Sequence, residues 1–212
     1  MKTILMGFMV FILTACAGGE TRSKLPYGTW QIGLIAPRFM EVWIEGVDVI
    51  DKRGLAFERV HGGIPSYSRT VGWNGGRGGG ATKPISNVDL PEIIFVRWQS
   101  LVEPQTYYAR IDIPQWVRDE MVKPHRAFCN WDGKYVDNLY RETISIGMAP
   151  GGIAKAWVGG PCLEPIEIER VEAKIEKRGP SLGQTGGRYA WPDLEPESKT
   201  YIEKHGIPYG SW

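Results

Sequence analysis

Short apolar runs bounded by proline or glycine fill this sequence and restrict it to a β-rich fold. Residues 30–36 (WQIGLIA) and 40–50 (MEVWIEGVDVI) are rich in β-branched and aromatic residues, with Pro37-Arg38 as a turn between them. The second run alternates, placing Val42, Ile44 and Gly46 on one face and Trp43, Glu45 and Val47 on the other. Residues 67–73 read as a third strand. Residues 92–99 and 106–113 flank Val102-Glu103-Pro104-Gln105 as a hairpin, and residues 143–148 and 153–158 flank Ala149-Pro150-Gly151-Gly152 as another. Pro114 opens one short helix over residues 115–122, with Asp112 upstream as a candidate cap. Residues 165–177 are expected as one long strand. From Gly179 on, proline, glycine and polar residues predict an extended tail packed by Trp191, Tyr201, Tyr209 and Trp212. The fold class expected is mainly β: an antiparallel β-sandwich or barrel-like sheet with one short helix and an extended C-terminal tail.

The N-terminus carries a different signal. Lys2, an apolar run over residues 4–13 and Leu13-Thr14-Ala15-Cys16 have the layout of a lipoprotein signal peptide. Cleavage would fall before Cys16, whose thiol and new amine would be acylated. The apolar run is too short to span a bilayer, which takes about 20 residues. Residues 1–15 are then a removed signal, 16–25 a lipidated tether and 26–212 a single domain with its tail over 179–212. Ala17 and Gly18 stand where an inner-membrane retention signal would place Asp, so the expected address is the periplasmic face of the outer membrane. The tether over residues 17–24 reaches at most ~28 Å.

Charge and cysteine usage agree with that address. Cleavage removes Lys2 from the 25 Lys and Arg, which leaves the remainder balanced against 24 Asp and Glu. No basic excess points to nucleic acid, and attachment to the bilayer falls to the lipid. Cys129 and Cys162 read as a disulfide in an oxidising compartment. Two buried thiols, or a three-ligand metal site with His125, are the alternatives.

Motifs for chemistry are thin. Residues 76–81 fit the glycine pattern of dinucleotide binding, but Ala81-Thr82-Lys83-Pro84 blocks the helix that pattern needs. No nucleophile elbow or metalloprotease motif occurs, and His61, His125 and His205 are scattered. No cofactor and no catalytic residue is expected. Trp73, beside the glycine-rich segment 74–80, and Arg77 within it are the candidate partner contacts, although packing and solvation are the ordinary roles of such residues.

Three features together resemble a family of uncharacterised bacterial envelope lipoproteins built on a domain of unknown function. They are the signal at Cys16; Val96-Arg97-Trp98-Gln99-Ser100-Leu101 followed by Tyr107-Tyr108; and Ile146-Gly147-Met148-Ala149-Pro150-Gly151-Gly152 leading to Trp157. The resemblance runs from about Trp30 to Lys177. Some such lipoproteins are encoded beside antibacterial lipase effectors of the type VI secretion system. The resemblance therefore implies a non-enzymatic protein-binding lipoprotein, an immunity protein for a lipase, and it brings no catalytic residues. An envelope lipoprotein that binds glycan or lipid through an aromatic surface or serves envelope assembly, and a cryptic hydrolase, are the rival readings.

Overall fold

The computed structural model describes residues 22–69, 72–73 and 81–212. Thirteen strands and two α-helices occur among them, ordered as β1 (Gln31–Ala36), β2 (Val42–Asp51), β3 (Ala56–Gly63), β4 (Ser66–Tyr67), β5 (Ala81–Pro84), β6 (Pro91–Ser100), β7 (Gln105–Asp112), α1 (Gln115–Val122), β8 (His125–Cys129), β9 (Lys134–Leu139), β10 (Thr143–Ala149), β11 (Ile153–Gly160), β12 (Leu163–Glu172), β13 (Lys174–Ile175) and α2 (Pro196–His205). The first sheet runs β12-β11-β10-β1-β4, with β5 also on β1; the second runs β13-β7-β6-β2-β3; β8 and β9 pair as a separate hairpin.

The two large sheets face each other across one core. Ile32, Leu34, Ile144, Ile146, Met148, Ala156 and Val158 of the first meet Val42, Ile44, Val47, Val49, Ile94, Val96, Trp98 and Ile111 of the second. Trp30 and Trp98 are fully buried there. Mainly β is therefore right, and the architecture is an open sandwich, with no closed barrel. Its first sheet is mixed: β1 runs parallel to β10 and to β4. Both β1 and β10 begin at the same end, the first from the N-terminal segment and the second from the β8–β9 hairpin.

Several local expectations are corrected. In β2 the pairing slips between Ile44 and Gly46, so Glu45 is an extra residue opposite β6. That bulge turns Val47 and Val49 back to the core face shared with Val42 and Ile44. The run over 67–73 contributes only the end of β4 among its described residues. The strand expected over 165–177 is two: β12 ends at Glu172, Ala173 N–H donates to Gly152 O at 2.7 Å, and β13 crosses to β7 in the other sheet. Asp112 does not cap α1; Pro114 is its N-cap without a side-chain bond, and Asp112 pairs with Arg110 at 2.6 Å. Val117 and Met121 are the buried face of α1.

The tail is not wholly extended. Residues 179–195 lie along the outer face of the second sheet, held by side chains of β2 and β6: Ser181 N–H donates to Glu45 at 2.6 Å and Ala190 N–H to Gln99 at 2.7 Å. It then forms α2, begun by Pro196 and stopped by Gly206 at φ 72°. The packing residues expected of the tail do pack: Trp191 edge-on against Trp43, Tyr201 on Phe39, Tyr209 near Trp212. The Trp212 indole donates to Pro150 O at 2.9 Å.

Candidate functional site

The sandwich has two distinct ends. The chain enters at the end formed by Gln31, Asp51, Pro91, Asp112 and Gly160, where Ser23 N–H donates to Asp89 at 2.7 Å. The opposite end is formed by the β1–β2 turn, the β3–β4 connection, the β6–β7 and β10–β11 turns and α2. There an aromatic cleft of about 700 Å³ opens.

The β1–β2 turn builds its floor. Met40 N–H donates to Pro37 O at 3.1 Å, and Met40 points inward to full burial. Phe39 is forced to φ 67°, a left-handed conformation unusual for a bulky residue. Its ring is turned outward between the Arg38 guanidinium, 4.6 Å away, and the Tyr201 ring, stacked at 4.5 Å. Ile64 and Tyr67 form one wall; Trp191, Asp193, Glu195 and Glu197 form the other. Glu41 is buried beneath and accepts the Glu195 N–H at 2.9 Å, which fixes the start of α2. Burial, followed by the charges of Glu41 and Glu195, pushes the Tyr67 phenol up to about 12, so it stays neutral and available as a donor. Four carboxylates against Arg38 make the cleft acidic as well as aromatic. Such a surface suits an apolar, cationic protrusion.

The anticipated residues that are described, Cys129, Cys162 and Trp73, lie elsewhere. Cys129 and Cys162 form a disulfide with Cα atoms 5.0 Å apart, inside the usual window. This excludes the free-thiol and metal alternatives for the pair. Trp73 is half-buried on the outer face of the first sheet, where its ring meets Trp157 at 5.6 Å and covers Gly147. It is not among the residues that line the cleft. Cys16 and Arg77 lie outside the described residues. A Cβ at Gly147 would come within 2.5 Å of the Trp73 ring. Gly147→Ala should therefore cost about 1–3 kcal/mol by overpacking. The cost should shrink in a Trp73→Ala background, a coupling that thermal denaturation of the four proteins measures.

The histidines are engaged separately. The His61 ring bonds Ala81 O at 2.8 Å, His205 lies on the Tyr201 ring, and His125 faces Glu120 at 3.1 Å. Lys123, then His125 and Arg141, hold the Glu120 carboxyl below its ordinary value against the opposing effect of burial. Among the described residues no three His, Cys, Asp or Glu side chains converge as metal ligands.

A second exposed aromatic group sits at the end where the chain enters. On the β8–β9 hairpin, Phe128 and Tyr135 form an edge-on pair at 5.4 Å, and Trp131 projects from the turn. The sequence reading missed this hairpin because its exposed face carries the aromatics, which inverts the usual pattern. It missed Phe39 because nothing in Pro37-Arg38-Phe39 announces a left-handed phenylalanine.

A family of proteins of unknown function, DUF2931, matches residues 17–210. The chain belongs to this family. The DUF2931 match takes in both sheets, the disulfide hairpin and α2, so it extends beyond the segments that carry the resemblance in the sequence. No curated protein and no solved structure matches the chain.

Proposed function

We propose that this DUF2931 protein is an envelope lipoprotein, held at the periplasmic face of the outer membrane by an acylated Cys16. It acts by binding a protein, as the immunity partner of an antibacterial lipase effector. The observation that carries the reading is the acidic, aromatic cleft around Phe39, Tyr67 and Trp191 at the end opposite Ser23. A lipase that settles on anionic phospholipid needs an apolar, basic rim around its active site. A cleft of carboxylates and aromatic rings is complementary to such a rim and draws it away from the bilayer. A tether of at most ~28 Å keeps the inhibitor concentrated where the enzyme must work.

The test uses the full chain in its own envelope. The effector should co-purify with it, and a deletion strain should become sensitive to attack by kin cells. Reversing charge on the rim, Asp193→Lys with Glu197→Lys, should weaken capture by at least about tenfold through like-charge repulsion while leaving the fold intact. Cys16→Ser should release the chain from membranes. A deletion strain no more sensitive than its parent, with no effector recovered, overturns the reading.

A further inference from the structure

We propose that the β8–β9 hairpin is a second membrane contact, which lays Phe128, Trp131 and Tyr135 into the headgroup region of the bilayer beside the N-terminal anchor. The inference rests on the anchoring reading above and extends it from a point of attachment to an orientation. Topology places the hairpin and the start of the described chain at one end. Helix α1 leaves the end of β7 there and leads through Lys123-Pro124 into β8, and β9 returns to the first residue of β10. Only residues 17–22 separate Cys16 from Ser23, a reach of at most ~25 Å. An anchor at Cys16 therefore holds this end against the bilayer.

The hairpin is built for such a surface. Trp131 is 70% exposed, Tyr135 63% and Phe128 46%, and the first two are the most exposed aromatics among the described residues. Tryptophan and tyrosine have an apolar body and a polar tip, and they collect where hydrocarbon meets headgroups. Arg126 lies over the Tyr135 ring at 5.2 Å and faces Asp137 at 3.4 Å across the hairpin, which leaves Lys134 as the exposed cation beside the aromatics. The opposite face packs inward, and Cys129 is bonded to Cys162 in the β11–β12 turn. An isolated two-stranded hairpin is marginal in water, so the disulfide makes the tip a rigid blade. Trp116 and Val122, each 40% exposed on α1, extend the apolar surface at the same end. Aromatics at the tip can also serve as cross-strand stabilisers, and Phe128 with Tyr135 does so; Trp131 stacks on no ring among the described residues.

The experiment places the photocrosslinker p-benzoylphenylalanine at position 131 of the full chain, and separately at position 64 on the far end. Each protein is reconstituted in vesicles of phosphatidylethanolamine and phosphatidylglycerol, and is also irradiated in its native envelope. Phospholipid adducts at position 131 with only background at 64 are expected. Protein adducts at 131 in the envelope, equal lipid adducts at both positions, or none at 131 overturn the contact. The mass of the N-terminal peptide reports Cys16 acylation independently. Lipid adducts at 131 on an unacylated chain would sustain the contact while the anchoring reading fails.

Discussion

A chain carrying Cys129→Ser and Cys162→Ser should lose about 3–4 kcal/mol of stability on the chain-entropy account of cross-links. The bond closes a segment with a sequence separation of 33 that contains the whole of β9, β10 and β11. Its loss should be felt unevenly. β10 and β11 are central in the first sheet and keep their ladders and core contacts. β8 and β9 have only each other, and half of their residues face solvent. Hydrogen exchange should therefore show the hairpin amides losing protection first, with the β10–β11 amides following only in global unfolding. Denaturant midpoints of the oxidised wild type and the double variant measure the total; the wild type under reductant should match the variant. Uniform loss of protection across both sheets would show that the bond supports the sandwich itself rather than the blade.

The same contrast explains what was legible in the sequence. The two hairpins 92–113 and 143–158 were readable because both faces of their strands follow simple patterns and their turns are marked by proline and glycine. Gly151 and Gly152 adopt φ 76° and 72°, the conformation their turn requires. β2 is readable as a strand but not in its facing, because Trp43 and Gly46 blur the phase change from Val42 and Ile44 to Val47 and Val49 that the bulge at Glu45 produces. Its cause is tertiary: the Glu45 carboxylate receives both Gln99 and the Ser181 amide. Helix α2 did carry local signals, Pro196 at its start and Gly206 at its end, but its apolar face is narrow and was outweighed by the composition around it. The cleft was illegible because it joins residues from both ends of the chain, Phe39 against Tyr201 and Glu41 against Glu195. Trp73 stands out in the sequence for its glycine-rich neighbours; in space its ring covers Gly147 and meets Trp157.

Asp51→Ala is expected to be as damaging, by about 3 kcal/mol, because it leaves buried partners unpaired. Asp51 is fully buried at the end of β2. One carboxylate oxygen accepts Arg53 N–H at 2.9 Å and Leu55 N–H at 3.4 Å; the other accepts the Arg53 guanidinium and Asp89 N–H at 3.0 Å. Asp89 in turn accepts Ser23 N–H, so the network ties the β2–β3 turn to the β5–β6 connection and to the place where the chain enters. Burial by itself would raise the Asp51 carboxyl, but the Arg53 guanidinium and the amides of Asp89 and Arg53 outweigh it and hold the group below its ordinary 3.8. A depressed folded value means that the ionised carboxylate stabilises the fold at any pH above the ordinary value. That contribution is lost as pH falls through the depressed value. The gap in denaturant midpoint between wild type and Asp51→Ala should therefore be full at pH 7 and narrow towards pH 2. Asp51→Asn, which keeps the shape and loses the charge, should fall between them at pH 7. A gap of equal size at both pH values would assign the loss to packing at the β2–β3 turn and not to the ionised network.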